Sequence, residues 1–235
     1  MKNRIRRIEV HDRSLDPLSA EVWITVSPEY HTATTEVRGR LVGPRCLYSS
    51  TIEVAYPLRP LPSSLGTLTP PHSPGLTVRA IIPEASFWEP QCPFLYQGPI
   101  ELWQDGQRCD CVTISHGLRL LQKKGRSLLV NGRPLALRSH KITACSDKEA
   151  TQLRQTGYNL LIAPVAVNSL GVWEQADRFG FLVLGQLGED ADELRWMEAL
   201  RPHASCLGWL SAECRTLSAE EAVDWYMTHG NPKSV

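Results

Sequence analysis

Phe87-Trp88-Glu89-Pro90-Gln91-Cys92-Pro93-Phe94-Leu95-Tyr96, then Gly117-Leu118-Arg119, then Asn131-Gly132-Arg133-Pro134-Leu135-Ala136-Leu137-Arg138, is the stretch at which the chain changes its hydrophobic period. Upstream, apolar residues recur at every second position. Val22, Ile24 and Val26 alternate with Glu21, Trp23 and Thr25, and Ile52, Val54 and Tyr56 alternate with Thr51, Glu53 and Ala55. Leu76, Val78, Ala80 and Ile82 form a third series. Such alternation sets one face of a strand on a core and the other toward solvent. Gly39, Gly43-Pro44 and Asp105-Gly106 interrupt at short intervals, so the first half reads as an antiparallel β-sandwich. Pro57 to Gly75, with six prolines before its last residue, reads as a long surface loop or edge excursion, because proline has no N–H for a ladder. Trp88 and Tyr96 read as core-packing aromatics rather than sugar-stacking rings.

Downstream of Gly132 the period is that of β/α units. Leu135-Ala136-Leu137 is expected as the first short strand. Ser146 followed three residues later by Glu149 is a capping box opening a helix with Ala150 and Leu153. Gly157 is its stop, since glycine accepts the left-handed conformation. Leu160-Leu161-Ile162-Ala163 is a continuous apolar run, as in a strand buried on both faces. Asn168 or Ser169 caps a second helix with Leu170, Trp173 and Ala176, and Gly180 ends it before Phe181-Leu182-Val183-Leu184. A third helix carries Leu194, Met197 and Leu200. Cys206-Leu207-Gly208-Trp209-Leu210 is the fourth strand, and Ser218 with Glu221 opens a last helix holding Ala222, Val223 and Tyr226. This alternation implies a parallel sheet with right-handed crossovers. Periodicity alone fits the start of a doubly wound sheet equally well. No Gly-x-Gly-x-x-Gly follows a strand and no P-loop is present, which disfavours a nucleotide site.

The 235 residues suit one large domain or two ordinary ones, and formal net charge is zero. No basic stripe or motif points to nucleic acid. Met1-Lys2-Asn3-Arg4-Ile5-Arg6-Arg7 has no apolar run behind it, so it does not read as a signal peptide. No apolar run reaches the roughly 20 residues that span a bilayer. A cytoplasmic location without membrane partners is the expectation, with the seven cysteines as reduced thiols. Cys109 and Cys111 share a face but lack ligand spacing with other residues, so neither a metal nor a cofactor is expected.

The order of motifs from Trp88 to Arg138 resembles glycoside hydrolase family 2, the β-galactosidase, β-glucuronidase and β-mannosidase family. The likeness continues in Gly157-Tyr158-Asn159, in Ala176-Asp177-Arg178-Phe179-Gly180-Phe181-Leu182-Val183, and in His203-Ala204-Ser205-Cys206-Leu207-Gly208-Trp209. It covers roughly residues 15 to 215. It implies an immunoglobulin-like antiparallel β-sandwich over 1–122, then over 123–235 an incomplete (half) (β/α)8 barrel of about four β/α units. A whole barrel needs roughly two hundred residues or more, and fewer than a hundred follow Arg138.

The same resemblance places the family's acid/base glutamate nearest to Glu213, just past the fourth strand, and sets Arg138 and Trp209 as substrate-binding candidates. Barrel catalysis occurs at the C-terminal ends of strands, which suits Glu213. Several positions depart from the pattern. Ala212 stands where an asparagine would bind the sugar, and the interval from Trp209 to Glu213 is one residue short. Gly185-Gln186 replaces an acidic pair, Ser139 replaces a glycine, and Ile162 and Ala163 stand where an arginine would follow the second strand. Retaining hydrolysis needs a second carboxylate about 5–5.5 Å from the first, and in the family it lies on a seventh strand. Glu189 is a remote substitute, whereas Asp190, Asp192 and Glu193 read as the acidic start of a helix. A lone acid supplies roughly 10²–10⁴-fold. The resemblance therefore implies a degenerate, non-catalytic relative that binds or assembles, with carbohydrate as its expected partner. Two other readings stand beside it. One is a hydrolase whose barrel is completed by a homodimer through exposed half-barrel edges; the other is a protein-interaction scaffold.

Overall fold

The computed structural model describes residues 2–16, 18–61, 75–188 and 193–229, without the side chains of Glu193 and Leu194. The chain divides into two compact units. One comprises residues 1–45, 51–86 and 95–118; the other comprises 46–50, 87–94 and 119–235.

The first unit holds β1 (Ile5–Asp16), β2 (Ser19–Pro28), β3 (Glu36–Arg45), β4 (Val54–Pro57), β5 (Arg59–Pro60), β6 (Leu76–Pro83), β7 (Leu95–Gln104) and β8 (Gln107–His116). They form two antiparallel sheets, ordered β1-β2-β6-β5 and β4-β3-β7-β8. The alternating series point where their period directs: Val22, Ile24 and Val26, Val78, Ala80 and Ile82, and Leu41, Ile100 and Leu102 are all buried. This is a β-sandwich. The expected solvent face of β2 is covered too. Trp23 lies under the Arg13 guanidinium, 4.5 Å from the ring centroid, and its indole donates to Glu21. Thr25 bonds Thr77 across the β2–β6 ladder at 3.0 Å. Long polar side chains lying flat on a sheet do what apolar neighbours do elsewhere.

Two readings from the turn residues are corrected. Gly39 and Gly43 interrupt no strand; both lie within β3. Gly39 is there because β3 and β7 approach closely, and a Cβ at Gly39 would collide with the Pro99 carbonyl. Ile52 is 88% exposed and precedes a strand that begins only at Val54, so the alternation around it marks no half-buried strand. The Pro57–Gly75 excursion begins with a change of sheet: β4 pairs with β3, and after Leu58, β5 pairs with β6. Residues 62–74 lie outside the described residues. Asp105-Gly106 is the turn its sequence suggests, with φ of 50° and 73° joining β7 to β8.

The second unit starts with a three-stranded antiparallel sheet of β9 (Leu121–Lys124), β10 (Ser127–Val130) and β11 (Arg133–Leu135). Asn131-Gly132, with φ of 51° and 77°, turns β10 into β11. The expected first parallel strand is thereby moved. Leu135 belongs to this hairpin, and the parallel sheet opens at β12 (Ser139–Lys141), a polar strand the apolar pattern does not reveal. β13 (Leu160–Pro164), β14 (Leu182–Gln186) and β15 (Cys206–Leu210) follow in parallel, in the order β12-β13-β14-β15. The order has no switch point, so the doubly wound alternative is not realised over these strands. The helices are α1 (Asp147–Gln155), α2 (Leu170–Phe179), α3 (Glu193–Leu200) and α4 (Ala219–His229). Ser146 caps α1, accepting from the Glu149 N–H. Ser218 and Glu221 form a reciprocal box at α4. Ser169 precedes α2 without capping it, since its hydroxyl donates to the Ala166 carbonyl instead.

The sheet has two buried faces. Leu161, Ala163, Val183 and Cys206 join one cluster with Ala150 and Leu153 of α1, Val172, Trp173 and Ala176 of α2, and Leu200 of α3. Leu160, Ile162, Leu182, Leu184, Leu207 and Leu210 lie outside that cluster and are equally buried. Burying one such side chain contributes roughly 1.5–3 kcal/mol. Six left bare would forfeit about as much as a domain's whole stability, roughly 5–15 kcal/mol.

Trp88 organises the start of this unit. It is fully buried; its indole donates to the Asp177 carbonyl oxygen at 2.9 Å, and its own carbonyl accepts from Asn131 Nδ2 at 3.0 Å. The Asp177 carboxylate accepts from Ser205 N–H and meets His203 Nδ1, each at 2.7 Å. One aromatic residue thus links the 87–94 excursion, the β10–β11 turn, α2 and the entry to β15.

Trp88→Phe keeps an aromatic ring but loses volume and leaves a buried carbonyl unpaired, the latter alone costing about 1–3 kcal/mol; the urea midpoint of the second unit should fall with little change in slope. His203 gives a pH signature. Burial pushes its pKa down, but the Asp177 charge and hydrogen bond, with Glu174 adding to them, outweigh burial and hold it above the ordinary 6.5. A raised folded pKa makes this contribution complete below 6.5 and lost as pH rises through the folded value. Unfolding free energy should therefore decline on the alkaline side of 6.5, and His203→Gln should flatten that part of the profile in parallel chemical denaturations.

Candidate functional site

The C-terminal ends of the parallel strands are where an α/β sheet exposes loops able to do chemistry. β15 ends at Leu210 and is followed by a 3-10 turn, Ala212–Thr216. Cys214 is buried beneath this turn, and its N–H donates to the Ser211 carbonyl at 3.0 Å. That inward anchor leaves the neighbouring Glu213 exposed. Its carboxylate makes no hydrogen bond or ion pair among the described residues. The Lys141 ammonium at the end of β12 reaches the same loop, but it is spent on the Arg215 and Leu217 carbonyls. Arg215 Nε donates to the Leu187 carbonyl at 3.3 Å, just past β14. Sequence reasoning had not singled out Lys141; the only signal was a polar strand where an apolar one was expected.

Arg138 stands elsewhere. It immediately precedes β12, at the N-terminal ends of the strands. Its backbone N–H donates to Asn159 Oδ1 at 2.8 Å and its guanidinium donates to the Thr156 carbonyl at 2.7 Å. The same guanidinium lies 4.9 Å over the Tyr158 ring. These bonds fix the turn after α1, and they employ the Gly157-Tyr158-Asn159 motif as local structure.

Trp209 faces the helices. It pairs with Gly185 in the β14–β15 ladder and packs against Trp173 with ring centroids 5.6 Å apart. A Cβ at Gly185 would come within 2.5 Å of the Trp209 ring, so glycine is what this packing needs. Gln186 shares the opposite face with Leu210, and its Nε2 is buried without a partner among the described residues. Glu213, Arg138 and Trp209 are therefore not brought together: one follows the strands, one precedes them, and one is packed beneath helices. Glu189, Asp190 and Asp192 lie outside the described residues.

The remaining reactive groups are quiet. Burial pushes the Cys206 thiol up to about 12, and burial with Glu149 and Asp147 pushes Cys145 up to about 11, so neither is a thiolate near neutrality. Among the described residues, no three His, Cys, Asp or Glu side chains are grouped to hold a metal ion. No helix among them is long and apolar enough to cross a membrane.

No protein-family model matches the sequence, and no curated protein matches it. Solved structures do. A glycosyl hydrolase family 2 member from Bacteroides cellulosilyticus is 17% identical with a TM-score of 0.63, over 89% of this chain and 31% of that one. A β-glucuronidase of Bifidobacterium dentium, solved with coumarin-3-O-glucuronide, is 15% identical with a TM-score of 0.64, over 88% of this chain and 37% of that one. A β-glycosidase from Bacteroides vulgatus is 16% identical with a TM-score of 0.64, over 97% and 32%. The chain thus spans about a third of the length of these glycosidases. At such identities the likeness is one of fold: an antiparallel sandwich followed by an α/β region.

Proposed function

We propose that this chain is a glycosidase-derived module, a sandwich followed by half of a (β/α)8 barrel, that acts by binding or assembly and does not hydrolyse glycosides by itself. The observation that carries this reading is the isolation of Glu213. It stands at the strand ends where a barrel places its acid, yet it is exposed and has no bonded partner among the described residues. A general acid must be held within hydrogen-bond reach of the leaving group, and no described side chain bonds Glu213 to hold it there. The flanking positions agree, since Ala212 has no amide to hold a sugar hydroxyl and Gly185 is filled by the Trp209 ring. The fold neighbours support a glycosidase ancestry, and carbohydrate is the first ligand class to try.

Incubation of the purified chain with aryl β-glucosides, β-galactosides, β-mannosides and β-glucuronides should release aryl alcohol at the buffer rate, unchanged in Glu213→Gln. Turnover above that rate, lost in Glu213→Gln, would overturn the reading and restore Glu213 as an acid/base.

A further inference from the structure

The face of the parallel sheet turned away from α1, α2 and α3 is covered in an unusual way. In a (β/α)8 barrel all helices lie outside, and the inner face of each strand is packed by side chains of the other strands. Here α4 breaks that rule. Gly208 pairs with Leu184 and so lies on the second face, and a Cβ added to it would meet the Tyr226 ring at 2.9 Å. The Tyr226 hydroxyl donates to the Leu207 carbonyl at 2.9 Å. At the other end of the sheet, Lys141 pairs with Ile162 and so shares that face, and its ammonium holds the carbonyls of Arg215 and Leu217, the lead into α4. α4 packs against β12 itself. The helix therefore reaches both the first and the last strand from the face that carries Leu160, Ile162, Leu182 and Leu184. Ala222, Tyr226 and Met227 are its buried stripe. Asp224 also pairs with Arg126 of the β9–β10 turn at 2.9 Å, at the exposed surface.

We propose that α4 is an autoinhibitory stopper: it occupies, within one chain, the sheet face on which the second half of a barrel would pack. Any partner or second copy that completed the barrel would first have to displace α4 and break the Tyr226 and Lys141 bonds. This inference rests on the barrel-derived reading for what is displaced; the covering of the sheet by α4 stands or falls separately.

The test is hydrogen exchange and light scattering on the full chain, beside Tyr226→Asp. The wild type should be monomeric at micromolar concentration, with α4 amides exchanging only as slowly as those of β13 and β14. Tyr226→Asp should speed α4 exchange by about tenfold or more, raise binding of a hydrophobic dye, and drive self-association. If the variant does not fold, the wild-type exchange pattern decides. Rapid α4 exchange over protected strands, or a wild-type dimer whose α4 is unprotected, would overturn the stopper. Aryl-glycoside turnover bears only on the barrel-derived reading and leaves this result untouched.

Discussion

A parallel sheet of four strands has two apolar faces, and both must be covered. That requirement shapes the second unit. Crossover helices cover only the side to which right-handed connections carry them, here the side of α1, α2 and α3. The other side holds six buried Leu and Ile side chains and receives α4. Hydrophobic burial does not specify the covering element; it specifies only that water be excluded. The polar details make the choice. Tyr226 donates to the Leu207 carbonyl beside the register shift in the β14–β15 ladder, and Lys141 holds the loop that leads into the helix. Capping by Ser218 and Glu221 fixes where the helix begins.

The sequence was informative where local chemistry and burial agree. Leu160–Ala163 reads as a doubly buried strand because no polar residue breaks it, and Cys206–Leu210 as the fourth strand; both are strands at those places. Ser146 with Glu149, Ser218 with Glu221, Gly157 and Gly180 marked helix ends through bonds that need only neighbouring residues. It misled where a distant partner decides. Gly39 and Gly43 look like turns, but glycine is required there by the close approach of β7, some sixty residues away. Leu135-Ala136-Leu137 looks like a barrel strand because the run is apolar, but Leu135 finds its partner in Leu128 of a hairpin. β12 was invisible because Ser139-His140-Lys141 is polar, its pairing being purely a matter of backbone.

The candidate site shows the same division. Glu213 could be placed beyond a strand end from order alone. That Cys214 turns inward and leaves it exposed depends on packing under the 3-10 turn, which no local pattern records. Arg138 and Trp209 carry residue types that suit sugars, yet their partners give them other work: a helix C-terminus for one, Trp173 and Gly185 for the other. Trp88 and Asp177 show motif residues doing structural work. A buried indole and a carboxylate bonded to both His203 and Ser205 hold several elements in register.

The central claim is that the sheet is finished by its own helix. The most direct measurement is the nuclear Overhauser effect between the Tyr226 ring protons and the Gly208 α-protons in the full chain. The account predicts strong cross-peaks, with the ring shielded from solvent. Their absence, with a Tyr226 ring that behaves as a freely exposed side chain, would contradict it.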